Sequence, residues 1–138
     1  MPREAIDSGV TYLLKLQNDG DGGFSYTGPG IGSNLPRTGM ALYVLERTGR
    51  SESSEAERAA KYILKNFKDS SSKKPYEFYG IFWGASGMAL RGGKDAERYA
   101  AWMYPHCKVK QQADGSFQSP MGVVLPSISV ALALSPED

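Results

Sequence analysis

The sequence predicts an all-α domain, an arc of three helical hairpins, and three observations carry that expectation. The phrase Gly39-Met40-Ala41-Leu42 returns as Gly87-Met88-Ala89-Leu90 and, more loosely, as Ser129-Val130-Ala131-Leu132. Segments with an apolar stripe at helical spacing alternate with segments that are apolar on nearly all sides. Glycine-rich stretches separate them. Half-wet helices belong on an outer layer and wholly apolar ones on an inner layer, and helix pairs repeated in this way stack side by side. The three hairpins run over roughly 5–49, 54–92 and 95–135 of a single domain, 1–138.

In chain order, Ala5, Ile6, Gly9, Val10, Leu13, Leu14 and Leu16 give the stripe of a first outer helix. It stops in the glycine run from Asn18 to Gly23. Pro36 to Arg47 is apolar all round and reads as the first inner helix, stopped by Gly49. Ser54-Glu55-Ala56-Glu57 has the form of a capping box, in which hydroxyl and carboxylate each satisfy a free amide at a helix start. The stripe Ala56, Ala59, Ala60, Ile63, Leu64 and Phe67 follows it.

After a polar loop over 69–74, Tyr76 to Leu90 forms a second inner helix rich in small residues, ended by Gly92-Gly93. Asp95 caps a third outer segment, Ala96 to Gln112, where Pro105 removes a hydrogen bond and predicts a kink or restart. Ser127 to Leu134 alternates with period two, which alone would mean a strand. Setting Pro126 on Pro36 turns it into a third inner helix instead, with Val130 in the place of Met40. In this scheme Ala41 and Ala89 lie where inner helices meet.

Charge and cysteine usage narrow the functional classes. A net charge of +1 leaves no electrostatic footprint for nucleic acid, and Lys61, Lys65, Lys68, Lys73 and Lys74 have acidic residues among and around them. Cys107 is the lone cysteine, so an internal disulfide is excluded, and a reducing, cytoplasmic compartment is slightly favoured. No apolar run approaches a membrane span, and the chain opens on an amphipathic segment instead of a signal peptide.

Two of the connections share a pattern. Gln17 ends an outer helix and is followed by Gly22-Gly23-Phe24; Gln112 ends another and is followed by Asp114-Gly115-Ser116-Phe117. A glutamine amide can satisfy free backbone groups at a neighbouring helix end while the aromatic packs over the turn. Here the sequence resembles the repeat family of squalene–hopene cyclases and protein prenyltransferase β-subunits, the α/α-toroid proteins. Gln112-x-x-Gly115-x-Phe117 resembles their glutamine–aromatic motif with Phe in the Trp place, and Gln17-x4-Gly22-x-Phe24 is a longer version. No such motif follows Phe67.

The resemblance implies a toroid-like arrangement, but the family's chemistry is not carried over. An acid-rich cluster would have to be Asp19-Gly20-Asp21, which reads as a turn. A zinc site would have to use His106 and Cys107, adjacent residues that point about 100° apart on a helix, so no metal and no cofactor are expected. Gly28 to Gly32 has neither the preceding strand nor the Lys-Ser/Thr of a phosphate loop.

The remaining candidates sit at the inner-helix entrances: Asn34 and Arg37 on the first, Tyr76, Glu77, Tyr79 and Trp83 on the second. The resemblance puts such positions at the mouth of a central cavity, where aromatics grip an apolar chain or stabilise a cation. The same aromatics also suit ordinary core filling. Arg37 and Glu77 each need a partner or water, since a charge at the start of a buried helix is costly alone.

The leading expectation is therefore a catalytically incomplete binding or scaffold module. Its concave face, with Met40, Val44, Trp83, Met88 and Val130, would take an apolar small molecule, another protein chain, or a second copy in a homo-oligomer. The alternative is an isoprenoid cyclase or prenyltransferase-type enzyme whose active site needs further repeats, this chain being one segment of it. A third reading is a polysaccharide lyase on a similar toroid, using Tyr79 or Arg37.

Overall fold

The computed structural model describes residues 2–68, 76–120 and 122–134. They form six helices: α1 (Arg3–Leu14), α2 (Leu35–Arg47), α3 (Ser54–Asn66), α4 (Glu77–Arg91), α5 (Gly93–Lys110) and α6 (Val124–Leu134). The described residues contain no strand, only isolated bridges between Gln17 and Phe24 and between Ser119 and Gly122. The protein is all-α, as the periodicities predict. The polar loop expected over 69–74 lies outside the described residues.

The layers follow from what each helix can bury. α4 packs between α2 and α6, so the three apolar helices lie side by side. α3 lies on α2 and touches α5, α5 lies on α4, and α1 meets α2 over a short stretch. Between the layers sits the core, with Leu42 and Leu45 of α2, Ala59, Ala60 and Ile63 of α3, Ile81 and Met88 of α4, and Met103 and Cys107 of α5. Val130 of α6 is also fully enclosed.

The repeated glycines have a steric purpose. A Cβ at Gly39 would stand 2.7 Å from the backbone N of Gly84, and one at Gly87 would stand 3.1 Å from the carbonyl of Gly39. α2 and α4 thus touch backbone to backbone, and only hydrogen fits between them. The two phrases do not occupy equivalent places, however. Gly39 lies early in α2 and Gly87 late in α4, so the same letters meet different neighbours. Ala41 is 1% exposed and Leu42 fully buried, whereas Ala89 is exposed and Leu90 half-buried. Ala41 belongs to the packed interior as expected; Ala89 does not.

Local hydrogen bonds correct other boundaries. Ser53, not Ser54, caps α3 by accepting the Ala56 N–H, and the Ser54 hydroxyl turns to the Glu55 carboxylate, so the capping box does not form. α5 starts at Gly93, with Asp95 already in its first turn, and continues through Pro105 without a restart. α6 is a helix despite its alternating residues. Its register is set by hydroxyls. Phe24 N–H donates to Thr38 Oγ1, and Phe117 N–H to Ser127 Oγ, both at 3.0 Å. Each hydroxyl in turn donates to the carbonyl four residues back, that of Asn34 or Val123. Thr38 therefore matches Ser127 and Ala41 matches Val130, one residue away from the proline-based alignment.

The glutamine motifs shift similarly. The Asn18 N–H donates to the Gly23 carbonyl and the Gln112 N–H to the Ser116 carbonyl, each the residue before the buried aromatic. Gln112 thus corresponds to Asn18, and it is Gln111 that corresponds to Gln17. Gln17 is 5% exposed, donates Nε2 to the carbonyls of Gly22 and of Glu55 in α3, and accepts from Arg58 at 2.6 Å. Gln111 is exposed and donates to the Gly115 carbonyl alone among the described residues. Asp19 pairs with Arg58, and Asp21 accepts from Gly23 N–H and Ser33 Oγ, so both serve the turn.

Candidate functional site

The structure divides the six candidate residues into three settings. Tyr79 and Trp83 share one face of α4 and meet α2 there. Their rings stand edge-on with centroids 6.2 Å apart, and Tyr43 meets Trp83 edge-on at 5.7 Å. The Tyr79 hydroxyl lies 4.0 Å from the sulfur of Met40, and Phe82 flanks Trp83 at 5.0 Å. All five side chains are half-buried, unlike Phe78, Ile81, Ala85 and Met88 on the opposite, core-facing side of α4. A helix with four aromatic residues in six has aromatic rings left over once its core face is filled.

Trp83 Nε1 is buried with no hydrogen-bond partner among the described residues. A buried, unpaired N–H costs about 1–3 kcal/mol, which an acceptor brought by a ligand would recover. The wall differs from the expected one at two positions. Met88 is 1% exposed and Val130 fully buried, so both are core residues, covered because α5 and α4 lie over them. Met40, Val44 and Trp83 remain partly exposed. Tyr43 and Phe82 were the residues missing from the sequence-based wall. Tyr43 lies three residues from Met40 and Phe82 three from Tyr79, and that helical spacing is the signal that would have found them.

Glu77 faces the other way. Its carboxylate accepts from His106 Nε2 at 2.7 Å and from Lys110 Nζ at 2.7 and 3.0 Å, both on α5. Only 12% of its side chain is exposed, and the partners that a charge at a helix start requires are supplied by the neighbouring helix. His106 stacks on Trp102 with centroids 4.7 Å apart. Cys107, one residue on, turns into the core and is 1% exposed. The two adjacent side chains diverge, His106 onto Trp102 and Cys107 into the core. Among the described residues no three His, Cys, Asp or Glu side chains gather in a metal-binding group.

Burial, with the charge of Glu77 and partly offset by Lys110, pushes the Cys107 thiol up to about 11. At pH 8 about one thiol in a thousand is then ionised. Alkylation of the folded protein at pH 8 is therefore expected to run at least about a hundredfold slower than in denaturant. Equal rates in the two states would show that Cys107 is accessible and that α5 is wrongly placed.

Asn34, Arg37 and Tyr76 form the third setting, at helix starts. Asn34 caps α2 by accepting the Arg37 N–H at 3.0 Å. The Arg37 guanidinium lies 5.3 Å over the Tyr26 ring and donates to the Gly32 carbonyl at 3.4 Å. Tyr76 precedes α4 and is 52% exposed. Gly28 to Gly32 is held down as a loop, with the Gly30 N–H on Asn18 Oδ1 at 2.6 Å.

No family model, no curated protein and no solved structure matches this chain.

Proposed function

We propose that the chain is a helical-repeat binding module of toroid-like arrangement, whose half-buried aromatic wall on α2 and α4 takes an apolar molecule. The observation that carries this reading is the wall of Met40, Tyr43, Tyr79 and Trp83, with the indole N–H of Trp83 buried at its centre and without a partner among the described residues. Edge-on rings offer an apolar chain both faces and edges, and the N–H selects a ligand carrying one acceptor, such as an alcohol or carbonyl oxygen. Covering about 200 Å² of such a wall contributes about 5 kcal/mol before the costs of association are subtracted. On that burial alone the affinity is no tighter than about 0.2 mM, and the acceptor on the Trp83 N–H adds to it.

Among the described residues, the wall residues named above carry no carboxylate, imidazole or thiol, and the Tyr79 hydroxyl rests against the Met40 sulfur; this supports binding over catalysis. Asn34, Arg37 and Tyr76 would shape the approach from the loop side, while Glu77 acts on α5. The enzyme reading would need reacting groups added to this wall from further repeats.

Trp83 and Trp102 are the two tryptophans, and a ligand on the wall would touch the first of them. Titration with a long-chain isoprenoid alcohol is expected to quench tryptophan emission saturably. Trp83→Ala is expected to weaken binding at least about tenfold, followed by calorimetry, while Trp102→Phe leaves the quench in place. Absence of saturable binding, or equal affinity in folded Trp83→Ala, would refute the proposal.

A further inference from the structure

We infer that the groove between the end of α3 and the outward flank of α5 is a second binding site, for a small flat anion: an aromatic ring bearing a carboxylate. The site is separate from the aromatic wall on α2 and α4 and does not depend on that reading. It is an open cavity of about 610 Å³, within the size range of small-molecule sites.

The first feature that marks it is apolar surface in the wrong place. α3 and α5 are both outer helices, so the wet face of each should be polar. On α3 the exposed positions are Ser54, Glu57, Lys61 and Lys65. On α5 they include Ala101, Tyr104, Pro105 and Val109, and Val109, at 85%, is the most exposed large apolar side chain among the described residues. Ala101, Pro105 and Val109 recur every four residues, which sets them in one row along the helix, and all three line the groove. A contiguous apolar row on a wet face marks a contact that water does not make.

Charge is the second feature. Arg98, Trp102, His106 and Lys110 form a neighbouring row with the same spacing. The charged side chains lining the groove are Lys68 from the α3 side and Arg98 and Lys110 from α5, all cations. Glu77 lies behind them, already engaged by His106 and Lys110. Arg98 is exposed and enters no ion pair among the described residues. Its planar fork matches the two oxygens of a carboxylate.

The rings between the cations are fixed in advance. Trp102 and His106 stack with 22° between their planes, Phe67 meets Trp102 edge-on at 4.8 Å, and Glu77 holds His106 Nε2 at 2.7 Å. A flat ring laid in the groove has little rotamer freedom to lose, and the rings it meets are already ordered. A phosphate-rich polymer would leave the apolar row unused, and a neutral apolar molecule would leave the cations unused. An aromatic carboxylate uses both.

Sodium naphthoate, titrated into the 138-residue chain and followed by nitrogen-edited NMR, should move the Trp102 indole resonance saturably. Val109→Asp should weaken binding at least about tenfold, and so should Lys68→Gln combined with Arg98→Gln. All three positions are exposed, so helical circular dichroism should not change. Val109→Ser serves if the aspartate disturbs folding. Ile31→Asp puts the same charge at an exposed apolar position on the loop before α2, and should bind as the unsubstituted chain does. Naphthamide, with the same ring and no charge, should bind at least about tenfold more weakly. Absence of saturation up to about 10 mM naphthoate, or shifts confined to the Trp83 indole, would overturn the inference. So would equal affinity for naphthamide, or affinity untouched by the substitutions at Val109, Lys68 and Arg98. Displacement of naphthoate by inorganic phosphate at matched concentration would also overturn it, because the groove would then hold a bare anion.

Discussion

Gly39→Ala is expected to destabilise the fold by about 2–3 kcal/mol, against the usual preference of helices for alanine. Two effects compete. Alanine in a helix interior gains about 1 kcal/mol over glycine by restricting the unfolded chain. The added methyl, however, would stand 2.7 Å from Gly84 N and from the carbonyl carbon of Trp83, and both are backbone atoms of α4 that cannot rotate away. The helices would have to separate, opening the contact along Gly80, Gly84 and Gly87 and stripping cover from Leu42. Sterics win. Gly9→Ala is the control, because that glycine is also inside a helix but faces open space. It is expected to stabilise by about 0.5–1 kcal/mol. Urea unfolding of both variants checks the pair. A Gly39→Ala midpoint at or above that of the unsubstituted protein would mean α2 and α4 do not cross where described.

The same glycines show how far the sequence could be read. Periodicity placed the first five helices, because an apolar stripe or an all-round apolar run is a property of the residues themselves. α6 is the instructive case. Ile128, Val130 and the leucines alternate as a strand would, yet repetition of the hairpin pattern overruled local period, and α6 is helical. What repetition could not supply was register. Gly39 and Gly87 carry the same phrase, but the first lies near a helix start and the second near a helix end, and only packing decides that Ala41 is enclosed and Ala89 open. Single-residue shifts have the same origin. Ser53 and Ser54, or Gln111 and Gln112, are identical neighbours, and the choice between them rests on where a backbone N–H points. At the candidate site, Tyr79 and Trp83 were singled out by their place at the entrance of an inner helix, and the structure sets them on one face. Glu77 stands two residues before Tyr79 and therefore faces elsewhere; its partners, His106 and Lys110, lie on a helix distant in sequence, where no local pattern reaches.

Removing the guanidinium of Arg91 is the second large effect expected. Arg91 Nη1 donates to Glu46 at 3.0 Å and to the Ser51 carbonyl at 3.2 Å, and Nε lies 3.4 Å from Asp95. One side chain of α4 thereby ties α2, the turn before α3, and α5. The Glu46 side chain is 2% exposed, and its second oxygen is buried with no partner among the described residues. Its charge is tolerated because Arg91 stands beside it. The pair of Lys61 with Glu57 gives the contrast: its side chains are 72% and 56% exposed, so water screens it and little stability rests on it. Arg91→Met keeps most of the side-chain volume but strands a buried carboxylate, and is expected to cost about 3–5 kcal/mol. Arg91→Lys restores charge without the planar fork that spans two acceptors, and should fall between the two. The decisive variant removes both charges. Glu46→Leu with Arg91→Met replaces a desolvated pair by apolar packing, and should recover most of the loss. Denaturant midpoints of the three variants measure this directly. If Arg91→Met alone lost less than about 1 kcal/mol, Glu46 would have to be reached by water. If the double variant were no better than the single one, the loss would lie in the Ser51 and Asp95 contacts, and the guanidinium would matter as a clasp across three helices more than as a counter-charge.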